Sequence, residues 1–168
     1  MIAEPASPVC RKPVGGVAAV ELSAVANVRD FEFDDDGSLC RLLIFADDNA
    51  VMRCRLIEER SSFVESLSVE GGAVSVLHTL RLVADRNMAE RCLEADFIGE
   101  LVSGGAVAAV TLADGRRFAV GLSRRFGSEQ PLRLLTLKAD SGCRAVDEPT
   151  LEMVLESADT SFAALCPE

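Results

Sequence analysis

Apolar side chains, with one histidine among them, recur at every second position from Val74 to Leu82. The segment before it repeats the same period at Phe63, Glu65, Leu67 and Val69. A period of two is typical of β-strands that bury one face. Between the two segments, Glu70-Gly71-Gly72 can turn the chain, because glycine readily adopts positive φ. The sequence therefore predicts a long hairpin over residues 63–83.

Asp-Gly steps mark two further tight turns, at 36–37 and 114–115. Such steps supply the positive φ that a hairpin needs, and short apolar segments flank both of them. Helical spacing of apolar residues occurs only over residues 87–102. Asn87-x-x-Glu90 resembles an N-terminal capping box, and Gly104-Gly105 is a stop signal after the last turn. The pattern predicts a mainly β (α+β) fold, an antiparallel β-sandwich or half-barrel with one flanking α-helix at about 87–102.

The chain is long enough for a single domain with a buried core. Residues 1–13 contain three of the six prolines and show no periodicity. We expect them to form a flexible N-terminal arm, followed by one β-rich domain over residues 14–168.

Acidic residues outnumber basic ones by 27 to 17, for a net charge of −10. Because gripping nucleic acid or an anionic membrane requires a basic face, we expect neither as a specific partner. The N-terminus lacks a basic segment followed by an apolar one, and the apolar run Leu42–Ala46 is far shorter than the roughly 20 residues that span a bilayer. We therefore expect synthesis in the cytoplasm.

Motifs for catalysis or cofactor binding are missing from the sequence. No GxSxG, GxGxxG or GxxxxGK[ST] occurs, and no Cys-His nucleophile signature is present. The acidic run ending at Gly37 resembles a calcium loop, but Leu43 stands where that loop needs a bidentate Glu. The single histidine, His78, is interpreted as a hydrogen-bonded strand or interface residue. We expect no enzymatic activity, no metal site and no cofactor.

Six cysteines stand singly along the chain, at positions 10, 40, 54, 92, 143 and 166. Zinc sites require paired ligands at short spacing, and no CxxC occurs. Without an export signal a disulfide framework is disfavoured. We expect reduced thiols, several of them packed as small apolar residues.

Arg116-Arg117 and Arg124-Arg125 place four positive charges within ten residues. In so acidic a chain this cluster favours local salt bridges or contact with an acidic neighbouring subunit. A small phosphate-binding patch is the alternative.

Two stretches resemble each other, Gly16–Leu22 (GVAAVEL) and Ala106–Leu112 (AVAAVTL), with five of seven positions identical. In strands rich in Val and Ala, we interpret this match as a coincidence and not as a duplicated half.

Three sets of short motifs together point to a family. The first is Gly15-Gly16-Val17 leading into a strand. The second comprises Phe63-Val64-Glu65, Gly71-Gly72 and His78-Thr79-Leu80, and the third comprises Gly121, Pro131-Leu132-Arg133-Leu134, Ser141-Gly142 and Asp159-Thr160-Ser161-Phe162. Over residues 15–163 the chain resembles small prophage-type structural proteins of Bacteroidales, which are similar in layout to phage tail tube subunits. It departs from them in lacking Tyr and Trp in the hairpin strands.

The resemblance implies a β-sandwich or half-barrel that assembles with copies of itself into stacked rings, beside other tail proteins, in a virion tail. The lumen of such a ring must let DNA slide, and an acidic lining repels DNA. Covering an unpaired strand edge with the next subunit prevents aggregation. The residues expected at the assembly interface are Phe63, Glu65, Leu67, Val76, His78, Leu80, Arg124 and Arg125.

A second class of function remains open on the sequence. The chain could be a monomeric β-sandwich binding or accessory module of a mobile element, non-catalytic, that uses a loop face near residues 112–130. A tail-completion or head–tail connector protein, which forms one ring and not a stack, is a variant of the first class.

Overall fold

The computed structural model describes residues 15–53, 55–86 and 90–167. The strands in chain order are β1 (Val17–Ala24), β2 (Val28–Phe33), β3 (Cys40–Phe45), β4 (Met52–Arg53), β5 (Ser62–Glu70), β6 (Ala73–Asp85), β7 (Ala106–Leu112), β8 (Arg117–Val120), β9 (Arg133–Asp140), β10 (Thr150–Asp159) and β11 (Ala164–Leu165). One α-helix, α1 (Ala95–Gly104), lies between β6 and β7. The mainly β fold with one flanking helix is confirmed; the predicted arm over 1–13 lies outside the described residues.

The strands form two sheets and a separate ribbon, and every pair of named strands is antiparallel. The first sheet has the order β11-β8-β7-β1-β4, and the second has the order β5-β6-β10-β9. Strands β2 and β3 pair only with each other, joined by the predicted Asp-Gly turn, where Gly37 N–H donates to the Asp34 carbonyl at 3.1 Å. The second predicted Asp-Gly turn joins β7 to β8.

A single main core contains side chains of both sheets. The first sheet contributes residues such as Leu22 and Val110, and the second contributes Leu80 and Leu155, all 0% exposed. Leu101 of α1 reaches the same cluster. Burial of this many aliphatic side chains, each contributing about 1.5–3 kcal/mol, is the main force that holds the sheets together.

The two similar stretches of sequence lie next to each other in the first sheet. Val20 of β1 opposes Val110 of β7, and Ala24 opposes Ala106. Strand β7 is buried on both faces from Ala106 to Val110. Small and β-branched side chains suit such a central strand, since they allow close packing on either side.

The helix differs in its bounds from the prediction of 87–102. It spans Ala95–Gly104, and a 3₁₀ turn over Glu90–Leu93 precedes it. Its end was predicted correctly to within two residues, because Gly105 adopts a φ of 78° and stops the helix. Residues 87–89 of the predicted N-terminal cap lie outside the described residues.

The apolar segment from Val51 to Ile57 does not form one continuous strand. Strand β4 pairs with β1 of the first sheet over Met52–Arg53 alone, whereas Leu56 bridges Ala84 of the second sheet. The chain crosses from one sheet to the other here, so apolar residues on both sides of the crossing are buried without forming one strand.

Among the described residues, no helix is long and apolar enough to cross a membrane.

Candidate functional site

The distal half of the β5–β6 hairpin is exposed on both faces. Every residue from Ser66 to Ser75 is exposed, and the first buried residue after the turn is Val76. The tip nevertheless carries large apolar side chains. Leu67, Val69 and Val74 are 47%, 61% and 42% exposed. Contiguous apolar surface of this kind on a folded chain marks an interaction site.

The tip residues belong to the same face as the core residues of the hairpin. Phe63 opposes Leu80, Leu67 opposes Val76, and Val69 opposes Val74. This register confirms the alternation read from the sequence. The inner face of the hairpin therefore continues past the edge of the core, where no described residue covers it.

Strand β5 is one edge of its sheet and β9 is the other. Within the described residues neither edge pairs with a further strand over its length, so both offer unpaired backbone groups. The outer face of the sheet also exposes Val64 of β5 and Leu135 of β9, each 54% accessible. A sheet with two open edges can continue into a neighbouring sheet.

The candidate interface residues of the hairpin divide into two groups. Val76, His78 and Leu80 are buried inside the subunit, at 0%, 4% and 0% exposure, and Phe63 packs against the main core. Leu67 is at the surface. The alternation revealed a shared face, but it could not show where along that face the core ends.

His78 and Glu65 form a polar cluster with the C-terminal segment. His78 Nε2 lies 3.4 Å from Glu65 Oε1 and 3.2 Å from the Ser161 carbonyl, and its Nδ1 lies 3.4 Å from Ser157 Oγ. The tautomer with the proton on Nε2 satisfies these contacts, since Ser157 can donate to Nδ1. Glu65 also accepts the backbone N–H of Ala163. The cluster thus ties the base of the hairpin to the end of the chain.

The same residue types occur in nucleophilic triads, but there the serine must meet its substrate. Ser157 and His78 are 6% and 4% exposed, and each ring nitrogen is occupied by a neighbour. The arrangement suits a buried hydrogen-bond network that fixes the position of two strands.

Arg124 and Arg125 lie away from the hairpin tip, beside the β2–β3 turn. Together with Asp36, Thr160 and Ser161 they line an open cavity of about 480 Å³. Both arginines are exposed, and Arg125 donates to Thr160 Oγ1 at 3.4 Å. Hydrogen bonds from Ser38 lower the pKa of Asp36, with a smaller contribution from the charge of Arg124. Ser161 of this cavity also contacts His78 through its carbonyl, so the arginine pair lies near the base of the hairpin and not at its tip.

Arg117 belongs to a different cluster from its neighbour Arg116. Arg117 Nη2 donates to Glu21 Oε2 at 2.7 Å, and Arg53 donates to the other carboxylate oxygen at 3.0 Å. Burial raises the pKa of Glu21, but hydrogen bonds from Arg53 and Arg117 outweigh it and the pKa is lowered. The predicted local salt bridging of the arginines is thus observed at Arg117, and at Arg116 with Asp114.

Sequence reasoning missed one side-chain pair of chemical interest, Cys40 and Cys166. The two side chains pack in the same small buried cluster although most of the chain separates them. Single cysteines at such spacing give no signal of proximity. Elsewhere in the described ranges, no group of three or more His, Cys, Asp and Glu residues is arranged to hold a metal ion.

Comparison with known proteins found no relative of this chain. The chain matches no protein-family model, no curated protein sequence and no solved structure.

Proposed function

We propose that the protein is a structural subunit of a phage or prophage-derived tail, tube-like, that assembles with copies of itself into rings. The observation that carries the proposal is the exposed apolar tip of the β5–β6 hairpin. Leu67, Val69 and Val74 are between 42% and 61% exposed and lie on one face. A second subunit that covered them would remove this apolar surface from water.

The two edges of the four-stranded sheet favour a head-to-tail contact. An interface between different surfaces of the same chain generates rings when the rotation closes. Exposed Glu70 lies on β5, whereas β9 exposes two basic residues, Arg133 and Lys138, and one acidic residue, Asp140, 4.0 Å from Lys138. Opposite charges on the two edges favour β5 of one copy beside β9 of the next, and disfavour β5 beside β5.

The acidity of the chain supports the tubular form of the proposal. With a net charge of −10, a ring of identical copies accumulates a strongly negative potential. DNA that passes through such a ring is repelled by the wall and is not held by it. This property fits the resemblance of the sequence to tail tube subunits, and it implies a virion tail as the final location and other tail proteins as partners.

Size-exclusion chromatography with light scattering over a wide concentration range, followed by negative-stain imaging of each peak, tests the proposal. We expect the wild-type mass to rise with concentration and the images to show rings or stacked rings with a central hole. Leu67→Lys combined with Val69→Lys should keep the chain monomeric, because each lysine would be desolvated in the contact.

Val146→Lys is the matched control, since Val146 is 84% exposed and lies on a loop between β9 and β10. This variant should assemble like the wild type, and circular dichroism should show the same fold for all three proteins. A wild-type chain that remains monomeric at every concentration would overturn the proposal. That result would favour the monomeric binding module, using the loop face near residues 112–130.

A further inference from the structure

Cys40 and Cys166 lie side by side where the C-terminal segment meets the β2–β3 ribbon. Leu39 and Leu165 form a parallel bridge, and the Leu165 N–H donates to the Ser38 carbonyl at 2.9 Å. The two cysteines are the next residues on these segments, so their side chains share the face opposite the leucines. Burial agrees with this geometry, since Cys40 and Cys166 are 0% and 3% exposed whereas Leu165 is 43% exposed.

Neither Cys40 nor Cys166 is in a disulfide. The Cys40 S–H donates to the Leu42 carbonyl at 3.3 Å, and both cysteine side chains pack with Ala119 and Ala164 in a small second core. Neighbouring strands in register place paired Cα atoms about 5 Å apart, within the roughly 4.4–6.8 Å that a disulfide spans. A bond between the sulfurs therefore requires little backbone movement.

The environment makes the two thiols chemically unequal. The neighbouring Cys40 thiol lowers the pKa of Cys166 to about 7, against an opposing effect of burial and with the help of the Arg117 charge. Arg117 Nη1 lies 3.7 Å from Cys166 Sγ. The Cys166 thiol, together with burial, raises the pKa of Cys40. At neutral pH Cys166 is therefore the more nucleophilic of the two, with a substantial thiolate fraction, and Cys40 stays protonated.

A cavity open to the surface leads to Cys166, whereas Cys40 lies behind it, fully buried. The cavity, of about 300 Å³, is lined by Leu39, Arg116, Arg117, Leu165 and Cys166, among others. It is large enough for a peroxide, and Arg117 places a positive charge at its wall.

We propose that Cys40 and Cys166 are a reversible modification site, which peroxide converts into a disulfide that locks the C-terminal segment to the β2–β3 ribbon. The Cys166 thiolate attacks one oxygen of hydrogen peroxide, the O–O bond breaks, and hydroxide leaves as Cys166 becomes a sulfenic acid. The Cys40 sulfur then attacks the sulfenic sulfur, the S–O bond breaks, and the Cys40 proton leaves with that hydroxyl as water. The first hydroxide takes a proton from solvent, so one peroxide becomes two waters while two thiols become one disulfide.

The crosslink would change how the end of the chain is held. Strand β11 pairs with β8 over Ala164 and Leu165 alone, and the bridge to Leu39 adds one more contact. A disulfide from Cys166 to Cys40 would close a loop that includes most of the chain, and such a loop constrains the unfolded state strongly. This inference is independent of self-assembly.

Treatment of the full chain with hydrogen peroxide, then with N-ethylmaleimide, tests the site. We expect non-reducing peptide mapping to show Cys40 joined to Cys166, and dithiothreitol to restore both thiols. The oxidised protein should melt several degrees higher than the reduced one. A crosslink that joins Cys166 to another cysteine, or a Cys166 that is still alkylated after peroxide, would overturn the proposal.

Two variants separate this mechanism from general oxidation. Cys143→Ser removes an exposed thiol outside the pair and should leave the crosslink unchanged. Cys40→Ala removes the neighbouring thiol that lowers the pKa of Cys166, so the pH profile of Cys166 alkylation should move to higher pH and peroxide should stop at sulfenic or sulfinic acid. An unchanged pH profile in a folded Cys40→Ala protein would contradict the role given to Cys40, and the wild-type peptide map decides the matter if that variant does not fold.

Discussion

Glu65 lies directly opposite His78 in the register of the β5–β6 hairpin, and its Oε1 is 3.4 Å from the imidazole Nε2. The same carboxylate accepts the backbone N–H of Ala163, on the segment that follows β10. One side chain at the base of the hairpin therefore connects an edge strand with the end of the chain. Because the Glu65 side chain is only 20% exposed, water replaces this hydrogen-bond acceptor poorly when it is removed.

Glu65→Ala should lower the free energy of unfolding by about 1–3 kcal/mol, because it removes a charged acceptor from the half-buried amide of Ala163. Glu65→Gln should cost less, since the amide oxygen can still accept. Urea denaturation at a concentration where the chain is monomeric measures both effects. Glu70→Ala, on the exposed tip of the same strand, is the control and should change stability by no more than about 0.5 kcal/mol. Equal effects of the three substitutions would show that Glu65 does not stabilise the fold as a hydrogen-bond acceptor.

Glu21 gives the protein a stability contribution that depends on pH. The pKa of Glu21 is lowered in the folded state from a reference value of 4.5 by Arg53 and Arg117. A lowered pKa stabilises the folded state above the unfolded value and loses that effect as pH falls through the folded value. Glu21→Gln should therefore cost about 1 kcal/mol near neutral pH. The difference from wild type should shrink below pH 4.5. Denaturant unfolding of both proteins from pH 3 to 7 measures this difference in stability. A difference that does not vary with pH would contradict the role given to the Glu21 carboxylate.

Gly121 occupies a position where a side chain has no room. Its φ is 88°, and a Cβ would lie 2.7 Å from the Ala106 carbonyl oxygen and 3.1 Å from the Leu132 nitrogen, which are bridged to each other. Gly121→Ala should cost about 2–4 kcal/mol through backbone strain and the displaced bridge. Thermal unfolding measures the change.

Gly99→Ala is the companion substitution, at an exposed position within α1 where a Cβ would meet nothing within 4 Å. It should raise the stability by about 0.5–1 kcal/mol, because alanine favours the helix over the unfolded chain. If both alanines had the same effect, steric exclusion at Gly121 would not be the reason.

Charge reversal at Arg124 and Arg125 tests whether their surface takes part in assembly. Both side chains are exposed and make weak contacts within the subunit, so the fold should tolerate Glu at both positions. We expect weaker assembly in light scattering and an unchanged melting temperature for the monomer. Assembly equal to that of the wild type would remove these residues from the interface and leave the hairpin tip as the remaining candidate.

The parts of the fold that follow from local sequence were predictable. The two-residue period fixed the faces of β5 and β6, and Asp114-Gly115 fixed the turn between β7 and β8. Both signals act between residues close in the chain, where geometry leaves few alternatives.

Relationships between distant segments were not predictable in the same way. The pairing of β1 with β7 depends on which buried strands fit together in the core, and many Val/Ala-rich strands would satisfy the pattern. The contact of Cys40 with Cys166 depends on the path of the last strand, which is two residues long and carries no pattern of its own. The sequence also did not show that the end of the hairpin is exposed, because the apolar residues of the tip and those of the core follow the same alternation.

The position of β1 between β7 and β4 has a consequence for the order of synthesis. Its partner β7 begins at Ala106, roughly 80 residues after Ala24. At about 5–20 residues per second, a ribosome needs on the order of 4–16 s to make that intervening stretch. Throughout this interval the first strand has an apolar face and, of its two neighbours in the sheet, only the two-residue strand β4. Nascent chains of this protein should therefore depend on holding chaperones until the seventh strand emerges.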